Sequence, residues 1–468
     1  MSCKSSQLSC LSFQAGNHNF KEKQKHRKTG GSPMYDVAVV KYEKPFESLK
    51  RAVNLAGGLD SLPIQSKVVI KPNILMWLEG GNFPKYGAFT TARMIEDLVI
   101  LLKERGLQRI VILEGPAFGE LQAAAKGMGL DVLGNRYGVQ IVDVWKNEFV
   151  KIKVGGVPFS ISKEFVEADY VVNMPVLKTH EMAMVSLGTK NLKGVIDQSS
   201  RKLCHNANAH TDLEYHLARL AELVPSCFNI IDGIYSLERG PNITGDARRS
   251  DIIIVSKDLL SGDKVGASLL GIPPQTVSYL SLACERKGRP IDLSDINIKG
   301  DIDISSAASP HGWLQARSPA DDMPLLLAMA GVKGVTEPRI DKTLCTYCVS
   351  ALGLYVHMGL LMALNKDKCF DDIEFLFGKC QEPSGTHKHT ILLGQCQVNL
   401  NGNNPLIKHC VKIRGCPPRE QEYLDACKEV GIELPAGFPA TAQNAASLFL
   451  NSKYKGRQGF DEVFYRIQ

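Results

Sequence analysis

The sequence predicts an α/β protein with a largely parallel sheet flanked by helices, followed by a smaller cysteine-rich C-terminal domain. From residue 34 to about residue 300, short apolar runs alternate with windows of helical spacing, as in parallel sheets joined by crossover helices. Seven of the 13 cysteines then lie between Cys345 and Cys416, where this alternation is weaker. A polar shift at residues 305–319 separates the two parts, and we interpret it as a linker.

In the first domain, a strand is expected wherever a short apolar run ends at turn-forming residues. Strands are predicted at residues 37–40, 67–71, 109–113, 139–144, 169–173, 228–231 and 251–255, with a hairpin over residues 150–162. Apolar residues at helical spacing predict helices at residues 46–55, 118–128, 210–223 and 275–286, and one that follows Asp258 and runs through Leu270. A further helix runs to Glu104, with Thr90 or Thr91 positioned to cap its N-terminus.

The net charge of +6 is concentrated in the N-terminal segment. Residues 1–33 carry six Lys or Arg against Glu22, which leaves a nearly neutral remainder. We therefore expect a disordered basic tail at residues 1–33 and no nucleic-acid partner for the folded body. The segment lacks the apolar core of a secretory signal, so we expect a cytoplasmic protein. In that reducing compartment, cysteines are expected to bind a metal rather than to form disulfides.

The α/β domain is assigned to residues 34–304 and the cysteine-rich domain to residues 320–435, with a terminal helix and tail at residues 436–468. One uncharged run within the second domain, residues 343–365, is long enough to suggest a membrane helix. Its apolar residues are diluted by threonine, cysteine, serine and histidine. A buried helix is therefore the favoured interpretation, and no membrane is expected as a partner.

The stretch from residue 173 to residue 194 carries the densest group of candidate functional residues. It follows a predicted buried strand and contains Lys178, His180, Lys190 and Lys193. In an open α/β sheet, ligands bind beyond the carboxyl ends of the strands. Lysines and a histidine at that place suit an anionic ligand or a bound cofactor, and a turn with solvated lysines is the alternative.

Other predicted strands also end in polar residues. Lys71 and Asn73 follow one strand, and Glu114, Asp232 and Asp258 follow three others. Each could belong to an ordinary turn, but together they point to one edge of the sheet.

Two residue types in this region can carry chemistry. A histidine of near-neutral pKa can move a proton, and a lysine beside other cations can act as a nucleophile or cofactor tether. His180 and Lys190 are therefore the candidate catalytic residues. His205 lies in the polar run of residues 202–210, where an ordinary surface histidine is the stronger interpretation.

Several motifs resemble a family catalogued as domain of unknown function 362, in family order over about residues 35–300. They are Val69-Ile70-Lys71-Pro72-Asn73; Thr90-Thr91; Val172-Asn173-Met174-Pro175-Val176-Leu177-Lys178-Thr179-His180; Lys190-Asn191-Leu192-Lys193-Gly194; Asp232-Gly233-Ile234; Gly240-Pro241 with Gly245; and Asp258 through Asp263 with Leu270-Gly271. The family's activity is largely undefined, so the resemblance adds little about the reaction. The candidate substrate-binding residues are Lys71, Asn73, Lys178, Asn191 and Asp232.

The spacing from His180 to Lys190, with His205 beyond, is distantly similar to the active-site segment of nickel-pincer lactate racemases. That likeness implies Lys190 as a cofactor tether, His180 as a nickel ligand or base, and His205 as the remaining candidate. The racemase signature rich in Thr-Arg-Pro is missing, and Lys71-Pro72-Asn73 stands in its region. We therefore do not expect the nickel cofactor, and the likeness serves only to locate the site.

The cysteine-rich domain carries four candidate ligands of a [4Fe–4S] cluster: Cys345, Cys348, Cys396 and Cys416. The first two form a Cys-x-x-Cys pair, and the others lie in Gly-x-Cys and Gly-Cys-Pro-Pro segments. Thiolates hold iron–sulfur clusters, and a glycine nearby lets the backbone approach the cluster closely. Cys380 and Cys410 are reserve ligands, and Cys369 is interpreted as structural.

Two other interpretations of these cysteines stay open. A tetrahedral zinc site is the chief alternative, because zinc also takes four thiolates. A set of buried free cysteines is the third, and the clustering of the residues argues against it.

The function predicted from these features is that of an iron–sulfur metalloprotein. It is expected to be an enzyme that acts on a small anionic, carboxylate-bearing substrate by proton or electron transfer. The alternative is a non-catalytic iron–sulfur electron carrier or maturation scaffold that docks a partner protein. A redox partner is expected in that second case.

Overall fold

Ten strands of the chain form one sheet, and two more form a separate hairpin. The structure is a computed structural model that describes residues 34–78, 80–224, 227–364, 369–438 and 440–468, so the predicted tail at residues 1–33 lies outside the described residues. The strands up to residue 300 are β1 (Tyr35–Lys41), β2 (Lys67–Lys71), β3 (Arg109–Glu114), β4 (Gln140–Asp143), β5 (Phe149–Val154), β6 (Val157–Ser162), β7 (Tyr170–Asn173), β8 (Val176–His180), β9 (Met184–Val185), β10 (Cys227–Glu238), β11 (Asp246–Ser256) and β12 (Ile296–Gly300).

The main sheet has the strand order β12-β1-β11-β10-β7-β2-β3-β4, with β8 and β9 attached at β10. Most neighbouring strands run parallel, and β11 is antiparallel to both β1 and β10. Successive residues of β1 alternate between two hydrophobic cores, one on each face: Ala38 and Val40 lie in one core, and Val37 and Val39 in the other. The predicted fold class, a largely parallel sheet covered by helices, is confirmed.

The helices of this part follow the predicted positions closely. They are α1 (Glu47–Leu55), α2 (Ala92–Glu104), α3 (Leu121–Met128), α4 (Leu130–Tyr137), α5 (Lys163–Val166), α6 (Gly188–Asn191), α7 (Gln198–Cys204), α8 (Leu213–Leu220), α9 (Leu259–Leu269), α10 (Ser278–Arg286) and α11 (Ile304–Ala307). Thr91 caps α2 as expected, accepting a hydrogen bond from Met94 N. Helices α4, α5, α6, α7 and α11 were not predicted. Helix α4 begins directly after Gly129, whose left-handed conformation ends α3.

Two strands differ from the prediction in a way that matters for the site. Strand β10 was predicted to end at residue 231, but it continues to Glu238 through an irregularity between Gly233 and Tyr235. No strand was predicted at residues 176–180, but they form β8, which pairs with β10 at Asp232. Asp232 therefore lies within a strand rather than at its end.

The cysteine-rich region has its own parallel sheet, in the order β13-β14-β15-β16. Its strands are β13 (Val335–Thr336), β14 (Ile373–Leu376), β15 (His389–Leu393) and β16 (His409–Ile413); its helices are α12 (Leu325–Ala330), α13 (Thr346–Ala351), α14 (Met358–Ala363), α15 (Gln395–Asn401), α16 (Glu420–Glu429) and α17 (Ala440–Ser452). A third hydrophobic core packs this sheet. Residues 34–468 form one unit, in which Tyr465 and Ile467 from the C-terminal tail pack into a core of the main sheet.

The uncharged run near residue 350 forms a continuous helix, because a π-helical segment (Leu352–His357) joins α13 to α14. By length and composition this helix could cross a membrane, a test that core helices of soluble proteins also pass. About a third of it is buried (33%). Cys348, Leu352, Val356 and Leu360 form the buried face at one-turn spacing, so the helix is confirmed but only one face is buried.

Candidate functional site

Seven basic side chains gather at the carboxyl ends of β2 and β8. This cationic cluster consists of Lys71, Lys178, His180, Lys190, Lys193, Arg201 and His205. Lys71 ends β2, Lys178 and His180 lie on β8, and Lys190 lies on α6. The structure thus brings together both predicted catalytic residues and two of the predicted substrate-binding residues, at the edge where an open α/β sheet binds ligands.

Lys71 forms an ion pair with Glu114. Among the described residues, it is the only lysine of the cationic cluster that forms an ion pair. Its Nζ lies 2.8 Å from Glu114 Oε2, and both side chains are buried. Lys71 Nζ also donates to Pro72 O at 2.7 Å. Burial lowers the pKa of Lys71, and Glu114 opposes this effect. Glu114 was noted only as a polar strand end, yet it is the anionic partner of the cluster.

Asparagines connect Lys71 to Lys178. Asn73 Nδ2 donates to Asn191 Oδ1 at 3.1 Å, and Asn191 Nδ2 donates to Lys71 O at 3.1 Å. Lys178 Nζ donates to Asn73 Oδ1 and, at 2.8 Å, to Ala88 O. The predicted residues Asn73 and Asn191 therefore position the lysines.

Lys178 is fully surrounded by protein and has no acidic partner in an ion pair among the described residues. Burial, with Lys71 nearby, lowers its pKa to about 7, although Glu114 acts in the opposite direction. Its ammonium group is therefore in balance with the free amine near neutral pH. A bound anion would shift that balance toward the charged form.

Asp263 fixes the N-terminal end of helix α6, which carries Lys190. The Asp263 carboxylate accepts hydrogen bonds from Gly188 N at 2.7 Å and from Thr189 N at 2.8 Å. Asn173 Nδ2 donates to Gly188 O at 3.0 Å. These bonds satisfy the backbone at the start of the helix, so the position of Lys190 is set by the buried core.

Lys190 itself is only partly buried. Burial lowers its pKa well below the ordinary value, and Lys193 and Lys178 lower it further. A lowered pKa increases the share of the lysine that is the free amine, which is the nucleophilic form.

His180 has one ring nitrogen assigned by its hydrogen bond. Its Nδ1 lies 3.0 Å from the backbone N–H of Met182, so Nδ1 accepts and Nε2 carries the proton of the neutral ring. Burial lowers the pKa of His180 well below its usual value, and Lys190 and Lys193 lower it further. In this state His180 can donate a hydrogen bond through Nε2–H. A neutral ring that bound a metal through Nε2 would have to give up the bond to Met182.

His205 is buried, with 2% of its surface exposed, so the interpretation as a surface histidine was wrong. Its Nδ1 lies 2.8 Å from Lys342 O, and its Nε2 lies 2.8 Å from Lys193 Nζ. Because a carbonyl can only accept, Nδ1 carries the proton and Nε2 accepts from Lys193. Burial, with Lys193 beside it, lowers the pKa of His205 well below the usual value. The polar sequence around it gave no sign of this burial.

Arg201 was missed by the sequence reasoning. Its guanidinium donates to Gly115 O at 2.7 Å and lies 4.4 Å from the centre of the Trp145 ring. It is buried, and its Nε has no hydrogen-bond partner within the part of the chain that the structure describes. Its position on the polar helix α7 gave no periodicity from which its role could be predicted.

Asp232, the remaining predicted substrate-binding residue, has its hydrogen bonds elsewhere. Its carboxylate accepts from Thr91 N and Thr91 Oγ1, both at 2.7 Å, and from Ile234 N at 3.1 Å. Burial raises its pKa, and the bonds from Thr91 act against that rise. The structure therefore places Asp232 at the N-terminus of α2 rather than in contact with a lysine of the cluster.

The four predicted cysteine ligands come from three segments that meet at the carboxyl ends of β15 and β16. Cys345 occupies the N-cap position of α13 and Cys348 lies in its first turn, whereas Cys396 lies in the first turn of α15 and Cys416 lies three residues after the end of β16. Gln395 N donates to Gly415 O at 3.0 Å, which ties the last two segments together. Cys345 and Cys348 are buried, Cys396 is half-buried and Cys416 is exposed.

Interactions between the thiols indicate that all four lie in one neighbourhood. A hydrogen bond from Cys348 lowers the pKa of Cys345. That bond and burial raise the pKa of Cys348, and Cys416 and Cys396 raise it further. A Cβ atom placed on Gly394 would stand 2.8 Å from Cys348 Sγ, so only glycine allows this approach of β15. The backbone at Gly394 therefore lies directly beside the Cys348 thiol.

The other cysteines of this region are placed differently. Cys410 lies on β16 with its Sγ 4.0 Å from Gly402 O, and Cys369 and Cys380 are exposed. Each cysteine that the structure describes is a free thiol.

No group of three or more His, Cys, Asp or Glu side chains in the described ranges is close enough to hold a single metal ion. A tetrahedral zinc ion brings its thiolates to about 4 Å from one another, since each Zn–S bond is about 2.3 Å. The donor set of four cysteines fits an iron–sulfur cluster chemically.

The cysteines and the cationic cluster are neighbours. The Cys345 thiolate acts on the pKa of Lys193, which burial lowers and Cys345 raises. Burial raises the pKa of Tyr347 to about 12, with Arg201 opposing and Cys345 adding to the rise. Lys379, at the end of β14, donates to His205 O and lowers the pKa of Cys396 against the effect of burial. One basic environment therefore serves both groups.

Two surface hollows of about 680 and 300 Å³ lie away from these residues. The larger is lined by Leu293 and by residues 298 and 300–305, and the smaller lies beside Lys67 and Arg109. Neither is lined by a lysine of the cationic cluster or by a candidate cysteine ligand.

Comparison with known proteins supports the family resemblance. The model of the family described as "Domain of unknown function (DUF362)" matches residues 68–268, which confirms the predicted resemblance over that range. The thylakoid-associated protein sll1697 of Synechocystis sp. is 26% identical over 247 residues, covering 52% of this chain and 74% of the relative. The range matched by the family model, residues 68–268, contains the whole cationic cluster and ends before the candidate cysteine ligands.

A solved structure, the lactate racemase apoprotein from Thermoanaerobacterium thermosaccharolyticum, is similar with a TM-score of 0.33 and 16% sequence identity. The match covers 51% of this chain and 57% of the racemase chain. A likeness at this level carries no argument about the site.

Proposed function

We propose that this protein is an iron–sulfur enzyme that acts on a small carboxylate-bearing anion by proton or electron transfer. The main support is the charge of the cationic cluster. It contains Arg201 and four buried or partly buried lysines, and the carboxylate of Glu114 forms an ion pair with one of these lysines, Lys71. Buried charges without partners are costly, and an anion would supply the missing charge.

In this proposal the residues have separate roles. Lys178 and Lys190 hold the anion, while Lys71 stays bound to Glu114. His180 presents its Nε2–H to a substrate oxygen and stabilises the charge that develops there during proton transfer. Asn73 and Asn191 fix the lysines through their side-chain amides.

Cys345, Cys348, Cys396 and Cys416 would hold a [4Fe–4S] cluster, which supplies electron transfer or Lewis acidity next to the anion. A cluster bound by four thiolates carries a net negative charge, and Lys379 and Lys193 are basic groups that act on these cysteines. The Gly-x-Cys and Gly-Cys-Pro-Pro segments favour the cluster over zinc in this proposal. The nickel cofactor is not proposed.

The second candidate function is an electron carrier or maturation scaffold that docks a partner protein. The exposure of Cys416 and partial exposure of Cys396 favour it, because a cluster near the surface can exchange electrons with a partner. A redox partner protein is required in this case, and neither proposal involves nucleic acid.

The location is proposed to be cytoplasmic, without a membrane partner. The printed name of the Synechocystis relative, thylakoid-associated, gives the competing location. Fractionation of cells that express the full chain, with and without a carbonate wash, distinguishes the two, and recovery in the membrane pellet would contradict our proposal.

The decisive experiment is anaerobic purification followed by visible absorption spectroscopy and analysis of iron, sulfide, zinc and nickel. We expect a brown protein with matched iron and sulfide. A colourless protein that contains only zinc would overturn the cluster.

The anion site is tested separately by calorimetric titration with oxalate and malonate. Lys190→Ala and His180→Ala should weaken binding while iron content stays the same, and exposed Lys126→Ala should leave binding unchanged. If both Lys190→Ala and His180→Ala bind oxalate and malonate as the wild type does, the anion site is overturned.

A further inference from the structure

Lys190 differs from the other lysines of the cationic cluster in its hydrogen bonding. Lys71, Lys178 and Lys193 each have a polar partner 2.8 Å from Nζ. Lys190 Nζ has none within the described segments of the chain, although α6 is fixed at both Gly188 and Thr189. The helix therefore holds this amine in place while leaving its lone pair and its hydrogens unused.

The surroundings of Lys190 favour the free amine over the ammonium ion. Burial, Lys193 and Lys178 all lower its pKa. The free amine of Lys190 can attack an electron-poor carbon, a use that goes beyond holding the anion. The neighbouring His180 can donate a hydrogen bond from Nε2–H to an oxygen.

We propose that Lys190 forms a Schiff base with a small carboxylate that also carries an aldehyde or ketone group. This inference rests on the proposed function, because the ligand is the same anion, and it names its chemical class. The carboxylate would be attracted by the charge of Lys178, whose ammonium group donates to Asn73 Oδ1, Ala88 O and Pro241 O but has no acidic ion-pair partner among the described residues. The carbonyl carbon would then face Lys190.

The step balances without an oxidant or a reductant. The Lys190 nitrogen forms a bond to the carbonyl carbon while His180 Nε2–H donates a hydrogen bond to the carbonyl oxygen. One of the two amine protons then moves from the nitrogen to that oxygen, and the second follows as the oxygen departs as water. A C=N bond replaces the C=O bond, and His180 ends in its starting state.

The test uses the full-length, anaerobically purified protein with two probes, glyoxylate and acetaldehyde, and sodium borohydride to reduce any imine. Peptide mass spectrometry then measures the adduct at each lysine. We expect glyoxylate labelling at Lys190 to exceed that at the exposed Lys126 by about tenfold or more. Acetaldehyde, which lacks the carboxylate, should show little preference. Equal glyoxylate labelling at the two lysines would overturn the proposal without any variant.

Matched variants separate this proposal from the anion site. Lys190→Arg keeps a cation but removes the nucleophile, so the adduct should be lost, whereas Lys126→Arg should keep it. If glyoxylate raises the melting temperature of the wild type and Lys190 is not labelled, the Schiff base is overturned and the anion site stands. If glyoxylate, oxalate and malonate all fail to bind, the anion site is overturned as well.

Discussion

Lys193 Nζ lies 2.8 Å from His205 Nε2, and the other nitrogen of the same imidazole lies 2.8 Å from the carbonyl oxygen of Lys342. Lys193 belongs to the α/β body, and Lys342 precedes Cys345 by three residues. One buried histidine therefore joins the cationic cluster to the segment that carries the first candidate cluster ligand. The two candidate sites are far apart in the sequence, but His205 contacts residues of both segments.

The first prediction concerns that histidine. His205→Leu leaves the Lys193 amine and the Lys342 carbonyl without their partner in a buried place, and each unsatisfied group costs about 1–3 kcal/mol. We expect the free energy of unfolding in urea to fall by about that amount or more. The exposed His210 is the control, and His210→Leu should stay within about 0.5 kcal/mol of the wild type. Equal stability of the two variants would contradict the structural role of His205.

A second prediction concerns the buried ion pair between Lys71 and Glu114. Glu114→Gln leaves a buried ammonium group without its carboxylate, and breaking such a pair costs about 3–5 kcal/mol. Replacing both residues, as Lys71→Met with Glu114→Gln, removes the unpaired charge as well. We expect the double variant to be more stable in urea than Glu114→Gln alone. A double variant less stable than the single would show that the pair is not the main contribution.

The third prediction concerns pH and Lys178. Its pKa in the folded protein is about 7, below the value of about 10.4 for an exposed lysine, so the folded state binds fewer protons between these two values. Stability of the free protein should therefore rise as pH increases from about 7 to about 10. Lys178→Met should reduce this slope in urea titrations across that range, and Lys126→Met should not.

Anion binding should show the opposite trend to stability. A bound carboxylate favours charged Lys178, so binding takes up a proton above pH 7, and affinity should fall by up to about tenfold per pH unit there. Calorimetry in buffers of different ionisation enthalpy measures the proton uptake. Affinity for malonate that is constant from pH 7 to pH 9 would contradict this.

The sequence was sufficient to predict the fold because most strands end where turn residues begin. Strand β2 has the same bounds in the prediction and in the structure, and Thr91 caps α2 as expected. Strand β8 was missed because Pro175 and the charged residues after it have the composition of a turn. Its pairing with β10 is a tertiary interaction that has no local sequence signal.

The site was predicted less evenly, for a physical reason. Lys178, His180 and Lys190 were identified because charges after an apolar strand are unusual. His205 and Arg201 are buried, but their neighbours in the sequence are polar, and a polar stretch predicts exposure to solvent. Asp232 was assigned to ligand binding from its position at a predicted strand end, and its bonds to Thr91 depend on how α2 packs against β10.

The last prediction tests the cysteine ligands by a matched pair. Cys416 and Cys410 lie six residues apart, and the first follows β16 whereas the second lies within it with its Sγ near Gly402 O. Cys416→Ser should lower iron and sulfide content and bleach the visible absorption, because a serine hydroxyl is a poor replacement for a thiolate ligand. Cys410→Ser should leave both unchanged. Cys416 is exposed, so its replacement should cost little folding stability in itself. Loss of iron in Cys410→Ser with retention in Cys416→Ser would move the reserve ligand into the set and exclude Cys416 from it.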